Sequence, residues 1–113
     1  MSETTTMMPP AYDRDRLVEL FGDNPATSAE VEREFLDTAR VAEKEIVNTT
    51  DVGVIARAAH RLKGASGMIG ATSLHTIAAA VERAAKAGDL PGVRRLQVAF
   101  SREVERVALQ VGG

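Results

Sequence analysis

Apolar residues recur at three- and four-residue intervals along almost the whole chain, and no segment alternates apolar and polar residues with a period of two. That pattern limits the fold to helices packed along apolar stripes. Val31, Phe35, Thr38, Ala39, Ala42 and Ile46 share one face of a segment opened by Thr27-Ser28-Ala29-Glu30, which has the Thr-x-x-Glu form of a capping box. This helix is expected to fade at Asn48-Thr49-Thr50-Asp51. The next stretch runs from about Val52 to Ile69 and ends at Gly70. Another starts near Thr72, carries Leu74, Ile77, Ala78, Val81 and Ala85, and ends at Gly88. The last is capped by Asp89 and shows Val93, Leu96, Phe100, Val104, Val107 and Val111. Ahead of all four, Asp13 caps a short helix with Leu17, Leu20 and Phe21, stopped by Gly22 and the turn-forming Asp23-Asn24-Pro25. Residues 1–12, polar, Thr-rich and closed by Pro9-Pro10, read as a flexible N-terminal tail. Short connections favour antiparallel neighbours. The expected fold is therefore all-α: an antiparallel up-down-up-down four-helix bundle over residues 13–111, with a short extra N-terminal helix.

Composition removes several classes of function. A length of 113 residues fits one domain. Lys plus Arg is 14 against 16 Asp plus Glu, a net charge of −2 that gives no electrostatic basis for binding nucleic acid. The absence of cysteine excludes disulfides, thiol nucleophiles and cysteine-ligated zinc. The two histidines, His60 and His75, stand in no metal-ligand spacing. No apolar run is long enough to span a membrane, and the N-terminus lacks the basic and apolar regions of a signal peptide. A cytoplasmic monomer is expected. Met1 and the compact ending favour a free protein over a domain cut from a larger kinase.

The segment over residues 53–71 departs from the ordinary pattern. On a wheel of about 100° per residue, Ile55, Ala59, Leu62, Ser66 and Ile69 form the core stripe, with Ala58 and Ala65 beside it. The opposite face holds Gly53, Ala56, His60, Lys63, Gly64, Gly67 and Ala71, flanked by Arg57 and Arg61. Solvent-facing helix surfaces are ordinarily filled with long charged side chains, yet here His60 and Lys63 are surrounded by glycine and alanine. Each interior glycine costs roughly 1 kcal/mol relative to alanine, so Gly53, Gly64 and Gly67 together cost on the order of 2–3 kcal/mol. A cleared approach to one imidazole accounts for that cost. Imidazole is substantially neutral and nucleophilic at pH 7. Gly64, one turn after His60, leaves the ring unscreened, and Lys63 at i+3 can place its ammonium beside the same ring nitrogen, where it would stabilise the charge of a phosphoryl group carried there. Arg57 and Arg61 add positive charge at the edge. There is no Gly-rich nucleotide loop, no G-x-x-x-x-G-K-[ST] and no paired acidic cluster for magnesium, so such a chain could hold a phosphoryl group but not take one from ATP alone.

The run His60-Arg61-Leu62-Lys63-Gly64-Ala65-Ser66-Gly67-Met68-Ile69-Gly70-Ala71 resembles the H-x-L-K-G-x-[SA]-x-x-[LI]-G-A signature of histidine-containing phosphotransfer (HPt) domains. Leu74, Val81-Glu82 and the Ala87-Gly88-Asp89 turn are similar to the family's continuation. The resemblance spans roughly residues 13–110 and is specific over 55–89. It implies a four-helix bundle that carries phosphoryl groups between receiver-domain aspartates and a histidine in two-component phosphorelays. It further implies His60 as phosphoacceptor, Lys63 as the residue that stabilises phosphohistidine, and Gly64 as the residue that keeps access open. Receiver domains and a sensor or hybrid histidine kinase are the implied partners. No cofactor is implied in this chain, magnesium belonging to the partner receiver domain. A partner-binding face of Gly53, Ala56, Arg57, Arg61, Gly64, Gly67 and Ala71 rests mainly on the wheel, which alone supports Gly53 and Gly67. His75 reads as an ordinary surface residue, Ser66 and Gly70 as structural, and Met7, Met8 and Met68 as tail and packing residues. The alternative function is a helical docking or adaptor module for receiver domains that is not itself phosphorylated, although such a module has no need of an imidazole.

Overall fold

A computed structural model describes residues 9–112, and all regular structure among them is helical. The helices are α1 (Arg14–Phe21), α2 (Pro25–Val47), α3 (Val52–Met68), α4 (Thr72–Lys86) and α5 (Leu90–Gly112). Four of the five starts, all but that of α4, follow from a side chain able to satisfy the otherwise unpaired first-turn amides. Asp13 accepts from the amides of Asp15 and Arg16, and Asp51 from those of Gly53 and Val54. Asp89 accepts from Gly92 N at 2.9 Å. For α2 the cap is Asn24, which accepts from Ala26 and Thr27, with Pro25 in the first turn. The capping box expected at Thr27 is therefore not the start. Proline lacks an N–H and has its φ preset, so Asn24-Pro25 begins the helix earlier. Gly22, Gly70 and Gly88 end α1, the α3–α4 connection and α4 with φ of +88°, +72° and +71°, where glycine is the residue without a steric penalty.

Helices α2–α5 pack in a ring, α3 on α4, α4 on α5, α5 on α2 and α2 on α3, with α3–α4 the most extensive pair and α1 set against α2. Phe35, Ala39, Ala42 and Ile46 meet Ile55, Ala59 and Leu62, Leu74 and Val81, and Val93, Phe100, Val104 and Val107 in one core. Thr38, expected on that face, is exposed. Arg94 of α5 donates to Ile46 O at 2.8 Å and Thr49 O at 2.6 Å, satisfying carbonyls left open where α2 ends.

The reading of residues 1–12 as a tail needs correction at its inner end. Residues 1–8 lie outside the described part, whereas Ala11 and Tyr12 are buried. Gln110 of α5 accepts from Ala11 N at 2.7 Å and donates to Tyr12 O at 3.0 Å. The Tyr12 hydroxyl donates to Glu32 Oε1 at 2.5 Å, and its ring meets Phe35 edge-on. Burial, then the Glu32 carboxylate, pushes the phenol up to about 12. A tyrosine this close to two prolines looks like tail in sequence because its partners lie 20 and 98 residues away. No helix among the described residues is long and apolar enough to cross a membrane.

Ser66 lies on the core face of α3 as expected, fully buried, and its hydroxyl finds no hydrogen-bond partner among the described residues. An unpaired buried hydroxyl costs about 1–3 kcal/mol. Ser66→Ala is expected to raise stability by about 1 kcal/mol in urea denaturation; a drop would mean that the hydroxyl is paired in solution.

Candidate functional site

The imidazole of His60 stands midway along α3 with two thirds of its side chain in solvent (66%), as the wheel requires. Its Nδ1 lies 2.9 Å from Oε2 of Glu82, a carboxylate on α4 that is only 5% exposed. Lys63 Nζ lies 2.8 Å from the other oxygen, Oε1, and Lys86 Nζ lies 3.0 Å from Oε2. One buried acid thus gathers three nitrogen groups from two helices. Hydrogen bonds from Lys63, then Lys86, with His60 contributing, hold the Glu82 carboxyl at about 2, below its ordinary 4.5, and they outweigh the burial that pushes it up.

The ionised carboxylate decides the chemistry of the ring. A carboxylate without its proton only accepts, so His60 Nδ1 carries the hydrogen and donates it. In its neutral form such a ring has its lone pair on Nε2, the nitrogen turned away from Glu82, and this is the arrangement a nucleophile needs. Lys63 does not sit directly on the ring, as its sequence position suggested. Its ammonium is coupled to His60 through the two oxygens of Glu82.

An open cleft of about 500 Å³ adjoins the ring, lined by Ala56, Arg57, His60, Arg61, Glu82 and Lys86. Of the residues expected on the partner face, Ala56, Arg57 and Arg61 therefore meet His60 in one depression. Arg57 is exposed, and Arg61 is paired with Glu45 of α2. Gly64 is exposed, and a Cβ built on it would meet nothing within 4 Å. Gly53 lies in the first turn of α3, where an added Cβ would stand 3.2 Å from the capping carboxylate oxygen of Asp51. Its lack of a side chain leaves room for that cap.

One expectation on the α3 face is overturned. Ala71 is fully buried and cannot be a partner contact. Helix α3 ends at Met68, and Gly70 turns the chain, so the wheel no longer applies at Ala71, whose amide donates to Ser66 O at 2.9 Å. Gly67 is exposed, with His75 of α4 beside it. A Cβ there would come within 3.3 Å of His75 Nδ1. His75 is correspondingly no ordinary surface residue: its Nδ1–H donates to Lys63 O at 2.9 Å. Met68, expected to pack, is more than half exposed. Glu82, Lys86 and the role of His75 escaped sequence reasoning. The available signal was an acid, Glu82, within the Ala- and Val-rich run of α4, followed four residues later by Lys86.

The model of the Hpt domain matches residues 17–110, most of the chain and all of the site just described. The chain belongs to the Hpt domain family. No curated protein and no solved structure shows significant similarity to it. Hpt domains are phosphocarrier modules of two-component signalling and interact with receiver domains and kinases.

The two glycines facing His60 and His75 should respond oppositely to alanine. Gly64→Ala should raise stability by up to about 1 kcal/mol, since the space is open and alanine is the better helix former. Gly67→Ala should lose most of that gain or reverse it, because the His75 ring must give way. Equal melting-temperature gains for both would show that the His75 ring is not seated there.

The depressed Glu82 pKa sets a pH dependence. A folded-state value below the ordinary one contributes stability that is present above about pH 4.5 and is lost as pH falls through about 2. Between these limits the melting temperature should fall more steeply for the wild type than for Glu82→Gln; parallel curves would show that Glu82 is not held by its cations.

Proposed function

We propose that this Hpt domain carries a phosphoryl group on Nε2 of His60, accepted from a receiver-domain aspartate or a kinase and passed to another response-regulator receiver. The observation that carries this reading is the Glu82–His60 hydrogen bond, which assigns the proton to Nδ1 and the lone pair to the exposed nitrogen. Nε2 attacks phosphorus, the bond from phosphorus to the aspartyl oxygen breaks, and the receiver's carboxylate leaves. The proton on Nδ1 stays on the Glu82 side throughout, so no separate base is required to expose the nucleophile. Lys63, fixed beside the ring through Glu82, offsets the charge that arrives with the phosphoryl group. Gly64 leaves the approach open to a macromolecular donor. Arg57, Arg61 and Ala56 form the near rim that the partner meets. The chain acts as a carrier, with magnesium supplied in the partner receiver domain.

The scaffold for this role is an up-down-up-down antiparallel bundle of α2–α5, with α1 as an extra N-terminal helix. Contacts between opposite ends support it. Arg94 early in α5 reaches the end of α2, while Tyr12, bound to Gln110 late in α5, reaches Glu32 early in α2. Similarly His75, early in α4, meets Lys63, and Glu82, later in α4, meets His60, earlier in α3.

The test is incubation of the full chain with a phosphorylated receiver domain. An acid-labile, base-stable label is expected on the wild type and none on His60→Gln, whose stability should change by only about 0.5 kcal/mol because the position is exposed. Label persisting in His60→Gln, on His75 for example, would overturn the assignment. A chain that binds the receiver without acquiring label would be an adaptor instead.

A further inference from the structure

Lys86 is not needed to hold Glu82. The carboxylate already receives Lys63 on Oε1 and the His60 Nδ1–H on Oε2, so departure of Lys86 would leave neither oxygen without a donor. Lys86 is also the more exposed of the two lysines: its side chain is 66% exposed against 31% for Lys63. Yet Lys86 and His60 meet at the same oxygen, Oε2, which places the ammonium no further from Nδ1 than the two bonds of 3.0 and 2.9 Å laid end to end. Lys86 moreover lines the cleft beside the imidazole, on the side opposite Lys63 in sequence. Of the other cations there, Arg61 is committed to Glu45, and the Arg57 guanidinium lies beside Gly53 in the first turn of α3. A helix C-terminus favours a lysine for its own sake, but that preference does not require the ammonium to share an oxygen with His60.

The charges differ between the two states of the carrier. Without a phosphoryl group, one carboxylate faces two ammonium groups. A phosphoryl group on Nε2 brings close to two further negative charges, and of the two ammonium groups held by Glu82 the one with less to lose is Lys86. We infer that Lys86 is a second phosphoryl-binding cation, resting on Glu82 in the unphosphorylated domain and moving to the phosphoryl oxygens once His60 is modified. The inference rests on His60 being the phosphoacceptor. In this arrangement Lys63 and Glu82 fix the ring, and Lys86 is the cation that responds to the load.

The full chain, phosphorylated with phosphoramidate (the His60 Nε2–P bond forming as the P–N bond of the donor breaks and ammonia leaves), is followed by phosphorus NMR as pH is varied. A neighbouring ammonium favours the dianionic phosphoryl group, so Lys86→Met should move its titration midpoint up by roughly 0.5 pH unit, the scale of one exposed ion pair. Lys86→Arg should restore the wild-type midpoint. Nitrogen NMR of unphosphorylated Lys86→Met should still show the proton of His60 on Nδ1. An unchanged midpoint in Lys86→Met would overturn the inference, as would loss of the Nδ1 proton, which would mean that Lys86 acts by way of Glu82. Absence of any phosphohistidine signal in the wild type, with phosphoramidate and with a phosphorylated receiver alike, would instead overturn the assignment of His60.

Discussion

A carboxylate almost out of solvent, Glu82, is the interaction on which the organisation of the site depends. Burying an unpaired carboxylate is prohibitive, and one that stays ionised must be surrounded by donors. Lys63, Lys86 and His60 are those donors, and they come from both helices. The requirement acts in both directions. The cations keep the acid ionised, and the ionised acid keeps the imidazole in one tautomer and one orientation. A protonated Glu82 could donate to the ring and would move the lone pair to the wrong nitrogen.

That arrangement demands close approach of α3 and α4, and both helices are built for it. Ala58 and Ala59 on α3 and Ala78 and Ala85 on α4 are small and buried, and these two helices form the most extensive contact in the bundle. Gly67 continues the same device one turn beyond Gly64, where the absent side chain seats the ring of His75. Helix α4 thus grips the Lys63 turn twice, its carbonyl through His75 and its ammonium through Glu82. A side chain whose backbone and terminal charge are both held loses little further freedom when it acts, which is the condition for electrostatic preorganisation. His60 stands on this closely packed pair of helices, with two thirds of its side chain in solvent.

The two glycines one turn apart show why a helical wheel has a limited reach. It reports which residues share a face but not which stretches of that face a neighbouring helix covers. Gly64 and Gly67 are both exposed, but only at Gly67 would an added side chain meet a neighbouring helix, at the ring of His75. At Ala71 even the shared face is lost, because the left-handed Gly70 has already redirected the chain.

By itself the sequence determined the helical class, the boundaries set by Asp13, Asp51, Asp89 and the terminal glycines, and the local group His60, Lys63 and Gly64. All of these are short-range properties: a cap acts over three residues, and side chains at i, i+3 and i+4 are neighbours on any α-helix. The same locality made the Thr27 box plausible when Asn24-Pro25 offered the stronger start. Only the tertiary structure decided what lies across from the histidine. Glu82 is 22 residues from His60, His75 is 12 from Lys63, and Tyr12 is 20 from Glu32. Each of these pairings depends on the register between packed segments, which core packing settles and no local pattern encodes. The exposed histidine could therefore be read from the sequence, whereas the carboxylate that fixes its tautomer was brought to it by the packing of α4 against α3.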